Sequence, residues 1–204
     1  MVRLPDGQPP DREEHDMTHV SIIGNGNMGP AIADLVTKGG NTVEILGRDD
    51  RVTGEIVVLA VPFPAVEGIV AARRDELAGK IVVDITNPLN FETFDSLTVP
   101  ADSSAAAQIA AALPDARVLK AFNTNFAATL ATRTIGSQAT TVLVAGDDTD
   151  AKNLLAAVVT AGGARAVDAG SLRRARELEA LGFLQLTLAA SEKISWTGGF
   201  GLNN

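Results

Sequence analysis

The sequence predicts an α/β fold with a doubly wound, mostly parallel sheet. Its Val, Ile and Leu residues cluster in short continuous runs rather than alternating patterns, which is typical of strands covered on both faces. These runs alternate along the chain with segments of helical periodicity, as in folds built from strand–helix–strand units. The length of 204 residues, with 46% apolar and 21% charged residues, suits one domain of ordinary size.

Seven short apolar runs are predicted as strands, bounded by glycine, proline or polar turns. In chain order they are 19–23, 42–46, 55–61, 80–86, 116–122, 140–146 and 164–170. Helical periodicity follows most of these strands. The predicted helices are 30–38, 65–79, 103–113, 148–163 and 171–194. Pro30 suits the first turn of its helix, and Ser103 or Ser104 suits an N-cap.

The first 16 residues differ from the rest of the chain. They hold five acidic against two basic side chains, three prolines and almost no apolar periodicity. We therefore predict a disordered acidic tail over 1–16 that is not a signal peptide, and a single domain over 17–204. The last predicted helix has apolar side chains on more than one face, which is typical of a helix buried between subunits. We interpret 171–204 as a C-terminal helical and dimerisation segment.

Composition excludes several classes of function. A formal net charge of −8 argues against nucleic acid or an anionic membrane as a partner. No run of about 18 apolar residues is present, so we expect no membrane span and a cytoplasmic location. The chain has no Cys and no Tyr, and its two histidines, His15 and His19, lie near the N-terminus. We therefore expect no metal site and no His-centred triad, and an enzyme of this composition would take its chemistry from a cofactor.

A glycine motif follows the first predicted strand. The stretch GNGNMG (24–29) fits G-x-G-x-x-G and lies between a strand and a helix, the context that a dinucleotide site requires. Gly24 permits the tight turn, Gly26 lets the backbone approach a pyrophosphate, and Gly29 lets the helix pack close to the strand. The helix N-terminus then offers free N–H groups to the phosphates. This predicts a Rossmann-like site whose loop residues are Gly24, Asn25, Gly26, Asn27, Met28 and Gly29.

The end of the second predicted strand indicates which dinucleotide binds. Sites for NAD usually have a carboxylate here that holds the ribose hydroxyls. In this chain Gly47 and Arg48 follow the strand, and the acidic Glu44 lies inside it. A guanidinium can bind a 2′-phosphate with two hydrogen bonds. We therefore predict NADP(H) as the cofactor, with Arg48 as the main ligand of the 2′-phosphate and Arg51 as a helper, the alternative being that Arg48 is an ordinary surface charge.

Several segments in combination match a known family. They are VSIIGNGNMGPAIA, EIVVLAVPFPAV, KIVVDITNPLN, RVLKAFNTNFA, TVLVAGDDTDAK and VDAGSLRRARELEAL. Nearly everything from Thr18 to about Leu181 thus resembles the NADP-dependent oxidoreductases related to the coenzyme F-420-dependent NADP reductase. The resemblance implies a Rossmann-like homodimer that transfers hydride between NADP(H) and a second flat ring, either the deazaflavin F-420 or a flavin. Arg176 and Glu179 match the family's late helix pattern, and we interpret them as structural.

The resemblance also implies where the cofactor lies. The NADP would run along the strand ends, with the nicotinamide at the later ones. The residues implied are Ala60, Val61, Pro62, Asn87, Pro88, Asn123 and Thr124.

One segment departs from the family pattern. Family members usually have a helix and a further strand between the second strand and the one that ends in AVP, whereas here only RDDRVTG (48–54) intervenes. A parallel crossover normally needs about a dozen residues. We therefore expect a sheet that lacks one edge strand and its helix, with a more open adenine side of the site.

The catalytic residues stay unassigned. Hydride transfer between two rings requires orientation rather than a strong acid or base. Reduction of a carbonyl would need a proton donor, for which Lys120 and Lys193 are the candidates, although each is more readily explained as an ordinary surface or salt-bridging lysine. The alternatives are therefore an NADPH-dependent imine or carbonyl reductase and a non-catalytic NADP-binding sensor.

Two aromatic segments leave their roles open. Trp196, the only tryptophan, could line a ring-binding pocket, form a dimer contact or act as a hydrophobic plug where the chain ends. The stretch 91–104, with Phe91 and Phe94, is either a lid over the site or a surface loop.

Overall fold

The computed structural model describes residues 17–203, so the acidic tail predicted over 1–16 lies outside the described residues. Nine strands are present in this part of the chain. They are β1 (His19–Ile23), β2 (Thr42–Leu46), β3 (Ile56–Leu59), β4 (Ile81–Asp84), β5 (Arg117–Lys120), β6 (Thr134–Ile135), β7 (Gln138–Ala139), β8 (Thr141–Gly146) and β9 (Arg165–Gly170). The helices are α1 (Met28–Lys38), α2 (Phe63–Ala72), α3 (Arg74–Leu77), α4 (Ala105–Ala112), α5 (Ala127–Thr132), α6 (Thr149–Ala161) and α7 (Ala175–Ala190).

Seven strands form one sheet in the order β2-β1-β3-β4-β5-β8-β9. The first five run parallel, β8 pairs antiparallel with β5, and β9 runs parallel to β8. The connections from β1 to β2 and from β2 to β3 lead to opposite sides of β1, which creates the switch point where open α/β sheets bind ligands. The predicted doubly wound, mostly parallel fold is confirmed.

The sheet carries a hydrophobic layer on each face. On one face α1, α5 and α6 pack over the strands through Leu35, Leu130 and Val158. On the other face α2, α3 and α4 bury Val70, Leu77 and Ile109. The strands are therefore apolar on both sides, which explains their continuous Val, Ile and Leu runs. None of the helices within 17–203 is both long and apolar enough to cross a membrane.

Some element boundaries differ from the predictions. The helix predicted over 65–79 is two helices, because the backbone of Arg73 leaves the helical conformation with φ −115° and ψ 15°. The helix predicted over 171–194 begins with a short 3₁₀ turn at Leu172–Arg174 and ends at Ala190. The six-residue α5 and the β6–β7 hairpin were not predicted, because segments this short show no clear periodicity.

Residues 47–55 connect β2 to β3 without a helix or a strand, and β2 is the edge strand of the sheet. This agrees with the expectation of a missing edge unit. We call residues 47–55 the crossover. It covers a polar strip on β1 and β2, where Ser21 donates to Glu44 at 2.6 Å and the Thr53 hydroxyl donates to the same carboxylate at 2.7 Å. Hydrogen bonds between side chains thus take the place of the apolar contacts that a covering helix would make.

Glu44 is fully engaged in this strip. Burial raises the pKa of its carboxyl, but the hydrogen bonds from Ser21 and Thr53 outweigh that effect and hold the pKa below its ordinary value. The ring of His19 extends the strip, with Nδ1 2.7 Å from the Thr42 hydroxyl and Nε2 2.8 Å from the Thr53 hydroxyl. Glu44 therefore organises the crossover, which agrees with the interpretation that it is not a ribose ligand.

The crossover passes β1 at Gly54, whose N–H donates to the Ser21 hydroxyl at 2.8 Å. A Cβ on Gly54 would lie 2.5 Å from the backbone nitrogen of Ser21 and 2.9 Å from the carbonyl oxygen of His19. Backbone atoms of a central strand cannot move aside cheaply, so only glycine fits here.

We expect Gly54→Ala to lower the free energy of unfolding by more than about 2 kcal/mol, because its methyl group must displace β1 or β3. Gly68→Ala in α2 is the matched control, since a Cβ there meets no atom within 4 Å. That control should be neutral or stabilising by up to about 1 kcal/mol. Urea unfolding followed by circular dichroism measures both, and equal stability of the two variants would contradict the close approach.

Candidate functional site

The predicted site residues meet at one edge of the sheet. The registers Ile23–Leu59, Leu59–Asp84 and Asp84–Lys120 align the carboxyl ends of β1, β3, β4 and β5. The glycine loop follows β1, and the other predicted positions follow the next three strands. They are Ala60, Val61 and Pro62 after β3, Asn87 and Pro88 after β4, and Asn123 and Thr124 after β5.

The glycine loop has the packing that the motif predicts. Gly24 has φ +118°, and a Cβ there would lie 2.2 Å from the carbonyl oxygen of Ala60. A Cβ on Gly29 would lie 2.3 Å from the carbonyl oxygen of Gly24. By contrast, a Cβ on Gly26 meets no atom within 4 Å. Gly24 and Gly29 are thus required by the packing of the protein itself, whereas Gly26 leaves the outer surface of the loop open for close approach of a ligand.

The loop leads directly into α1. Asn25 and Asn27 are exposed, and Met28 is the first residue of the helix. Asn27 is the N-cap, but its side chain makes no capping hydrogen bond. The first N–H groups of this 11-residue helix therefore have no capping side chain and adjoin the glycine loop.

The end of β2 lies beside the glycine loop, because Leu46 pairs with Ile23 and so places Gly47 next to Gly24. Arg48 and Arg51 are exposed there. Among the described residues the guanidinium of Arg48 has no ion pair or hydrogen bond.

Arg73 was not predicted as part of this region. Its guanidinium donates to the carbonyl oxygens of Gly47, Arg48 and Asp50. A single sequence carries no signal for this contact, because α2 separates the partners along the chain.

Two asparagines form a mutual amide pair where β4 and β5 end. Asn87 donates to the carbonyl oxygen of Asn123 at 2.8 Å, and the Asn123 amide donates to Oδ1 of Asn87 at 2.9 Å and to the carbonyl oxygen of Leu178 at 2.8 Å. A Cβ on Gly182 would lie 2.4 Å from Oδ1 of Asn87. The α7 helix therefore docks directly on the pair and fixes both amides.

A strained turn directs Asn123 toward its partner. Phe122 has φ +60°, and the N–H of Asn123 donates to the carbonyl oxygen of Ala121 at 2.8 Å. This is a γ-turn with a left-handed central residue, a conformation that costs energy in a non-glycine residue. The Phe122 side chain is fully buried, and its packing holds the strained conformation.

A cleft of about 480 Å³ opens between the glycine loop, these strand ends and α7. Its walls include Met28, Asn87, Phe122, Phe126 and Trp196. The rings of Phe126 and Trp196 lie 5.0 Å apart between centroids. Of the described residues that line the cleft, none is ionisable. Three roles were predicted for Trp196. Its position in a wall of the cleft agrees with the first, a residue that lines a ring-binding pocket.

The C-terminal tail is tied to the same region. Gln185 donates to the carbonyl oxygen of Thr124 at 3.1 Å, and its Oε1 accepts from the N–H of Phe200 at 3.2 Å. Asn125 also lines the cleft, and its amide donates to the carbonyl oxygen of Thr141 at 2.9 Å. Its Oδ1 is buried without a hydrogen-bond partner among the described residues.

A larger groove of about 590 Å³ lies between α2 and α4. The strand ends and the glycine loop converge at the smaller cleft, which is therefore the candidate site.

The segment 91–104 contains the Phe91–Phe94 edge-to-face pair, with both rings exposed.

The two candidate lysines lie in different environments. Lys120 is completely buried, and its ammonium lies 2.7 Å from Oδ2 of Asp84, 2.9 Å from Oε1 of Glu179 and 2.5 Å from the carbonyl oxygen of Thr86. Lys193 is exposed after the end of α7. Neither lysine lines the cleft. For Lys120 the geometry agrees with the salt-bridging alternative.

Glu179 joins the lysine to a second helix. Its carboxylate accepts from the N–H groups of Ala105 at 2.9 Å and Ala106 at 3.3 Å, at the N-terminus of α4. Burial raises the pKa of this carboxyl above its ordinary value, and the Lys120 ammonium offsets only part of that rise. Arg176 is exposed and donates to the carbonyl oxygen of Ala101 at 3.2 Å. Both contacts agree with the structural interpretation of Arg176 and Glu179.

Comparison with known proteins supports the predicted family resemblance. A family model described as coenzyme F420-dependent NADP oxidoreductase matches residues 49–88, from within the crossover to Pro88 after β4. An F420-dependent NADP reductase of Methanocaldococcus jannaschii is 29% identical over 172 residues, which cover 81% of this chain and 77% of that protein. A solved structure from Arthrobacter sp. FB24, a candidate F420-dependent NADP reductase, has a TM-score of 0.79 at 26% identity and covers 92% of this chain and 100% of that one.

Over most of its length the chain is similar to the coenzyme F420-dependent NADP oxidoreductases, as its sequence predicts. The predicted family and its NADP-dependent oxidoreductase class are therefore confirmed. Similarity extends beyond the prokaryotic members, since the metalloreductase STEAP3 of Rattus norvegicus is 30% identical over 203 residues. That match covers 90% of this chain but only 39% of the rat protein. The role of each individual site residue stays a prediction.

We expect Lys120→Met to lower the free energy of unfolding by about 3–5 kcal/mol, because Asp84 and Glu179 would remain buried without their ammonium partner. Lys193→Met is the matched control and should change it by less than about 0.5 kcal/mol, since that side chain is exposed. Denaturant unfolding measures both variants. A Lys120→Met protein as stable as the control would show that the buried cluster does not hold the fold together.

Proposed function

We propose that this protein binds NADP(H) and transfers a hydride between the nicotinamide and a deazaflavin, coenzyme F420, or a related flavin-type ring. The observation that carries the proposal is the cleft at the strand ends, whose described walls combine aromatic rings and amides with no ionisable side chain. Hydride transfer between two rings depends on proximity and orientation, which such a cleft can supply.

The cleft and the neighbouring strand ends together offer a place for an extended dinucleotide. The glycine loop and the N-terminus of α1 would hold the pyrophosphate, and Gly47, Arg48 and Arg51 would hold the 2′-phosphate. The strand ends from Ala60 to Pro62 would line the middle of the cofactor. The open approach at Gly26 supports this fit.

The nicotinamide end would lie at Asn87, Pro88, Asn123 and Thr124. When bound, NADPH supplies the hydride. The Asn87–Asn123 pair, fixed by α7, provides a rigid polar floor for the nicotinamide. Phe122, Phe126 and Trp196 would orient a flat ring and exclude water from the place where the rings meet.

The imine or carbonyl reductase alternative has less support. Such a reaction requires a proton at the reduced nitrogen or oxygen, and neither Lys120 nor Lys193 lines the cleft. The ammonium of Lys120 is already surrounded by three acceptors. The NADP-binding sensor alternative shares the same cofactor site and differs only in the absence of turnover.

The proposed activity is tested by following nicotinamide absorbance with NADPH and, separately, F420, FMN, FAD and a cyclic imine. We expect oxidation of NADPH with at least one ring acceptor, since the cleft offers stacking surfaces but no proton donor. Oxidation with the imine alone would replace the proposal by the imine reductase alternative. Tight NADPH binding without any turnover would replace it by the sensor alternative.

The matched variant for this experiment is Gly26→Ala. Its methyl group meets no protein atom, so the variant should unfold at the same temperature as the wild type. It should nevertheless weaken NADPH binding by about tenfold or more in calorimetric titration, because the methyl group crowds the pyrophosphate. Gly68→Ala, remote from the loop, is the control for binding. Unchanged affinity of Gly26→Ala would refute the pyrophosphate site.

We also propose that the protein is a cytoplasmic homodimer with 171–204 at its interface. Leu184 of α7 and Phe200 and Leu202 of the tail are large apolar side chains that remain exposed in the single chain, which supports an interface there. We expect sedimentation velocity to give a dimer for the wild type and a monomer for Leu184→Glu. A monomeric wild type would contradict the proposal.

A further inference from the structure

We propose that Arg73 is a positioning residue that sets the preference for NADPH over NADH by holding the loop that carries Arg48. The inference rests on the proposed NADP site. Arg73 lies between α2 and α3 and is not itself among the residues that we assign to the cofactor. It acts on the 2′-phosphate through the backbone of residues 47–50.

One guanidinium binds three backbone carbonyl oxygens of this loop. Nη2 of Arg73 donates to the carbonyl oxygen of Arg48 at 2.7 Å and to that of Gly47 at 3.3 Å. Nη1 donates to the carbonyl oxygen of Asp50 at 2.7 Å. The Arg73 side chain is only 12% exposed, so it is itself anchored by packing. A planar group with several fixed N–H donors can bridge several carbonyl oxygens at once.

Glu76, one turn further along, completes the anchor. Its Oε2 accepts from Nη1 of Arg73 at 3.2 Å and from the N–H of Val52 at 2.8 Å. Within the loop, the N–H of Gly47 donates to Oδ2 of Asp50 at 2.7 Å. Side chains of one helix junction thus hold both the beginning and the end of the loop.

The short crossover makes such an anchor necessary. Where a helix follows the second strand, its own hydrogen bonds define the backbone that leaves the strand. Here residues 47–55 form neither helix nor strand, so the backbone carbonyl groups of the loop need partners from elsewhere. Arg73 supplies them at the residues that adjoin the glycine loop.

Arg48 depends on this anchor for its position. Gly47 lies beside Gly24, so the next residue projects from the point where a dinucleotide presents its ribose. The Arg48 side chain is exposed and has no ion pair among the described residues, so its direction is set by its backbone. A backbone already held in place reduces the entropy lost when the guanidinium binds a phosphate. Only NADPH carries that phosphate, so loosening the loop should affect NADPH and spare NADH.

The test is a double-mutant cycle on nucleotide binding with Arg73→Lys and Arg48→Ala. Lysine keeps the positive charge but cannot bridge three carbonyl oxygens, so the variant removes geometry rather than charge. We expect Arg73→Lys to raise the dissociation constant for NADPH by about tenfold and to leave that for NADH within about twofold. Arg48→Ala should do the same. The double variant should lose no more than Arg48→Ala alone, because Arg73 acts through Arg48.

The neighbouring Arg74→Ala is the matched control. Arg74 is exposed and lies outside the loop contacts, so this variant should bind both nucleotides like the wild type. If Arg73→Lys weakened both nucleotides equally, Arg73 would be a general structural residue and the inference would be overturned. Additive losses in the double variant would mean that Arg73 contacts the phosphate directly and would also overturn it. If the wild type bound neither NADPH nor NADH, the NADP site itself would be refuted. If the wild type preferred NADPH and Arg73→Lys kept the same preference, only the positioning role of Arg73 would be refuted.

Discussion

The buried ammonium of Lys120 links the elements from which the candidate site is built. Two carboxylates approach it, Asp84 from the adjacent strand and Glu179 from α7, and Glu179 also accepts from the N-terminus of α4. Charges in the interior are tolerated only with such partners, so a shift of α7 would leave at least one of them unpaired. The same helix contacts the Asn87–Asn123 pair through Gly182. The ion cluster therefore fixes the helix that borders the cleft.

At the other end of the proposed cofactor site, side-chain hydrogen bonds hold the crossover in place of a helix. The crossover is held by Glu44 and Ser21 on the sheet side and by Arg73 and Glu76 on the helix side. Directional polar contacts can define a nine-residue loop that has little apolar surface to bury. The two ends of the cofactor would thus meet a site built by different means, a buried ion cluster for the nicotinamide and a hydrogen-bonded loop for the 2′-phosphate.

Much of this was accessible from local patterns. The seven strands of the main sheet and the glycine loop depend on short-range hydrophobicity, glycine and proline, and they were predicted with shifts of a few residues at most. The break at Arg73 was missed, because an arginine within a helical pattern is locally unremarkable and only its contacts with residues 47–50 explain the change in backbone. The strained Phe122 was missed for a similar reason, since its conformation is maintained by burial and not by its own preference.

The sequence by itself determined the doubly wound α/β architecture, the place of the glycine loop and the family resemblance, because each depends on residue types at fixed spacing along the chain. Only the tertiary structure decided which distant groups meet. It paired Asn87 with Asn123, enclosed Lys120 between Asp84 and Glu179, brought Trp196 to the cleft and set Arg73 on the loop of Arg48. These contacts join residues far apart in the chain, and a hydrogen bond or an ion pair forms only where folding brings its two partners within about 3 Å.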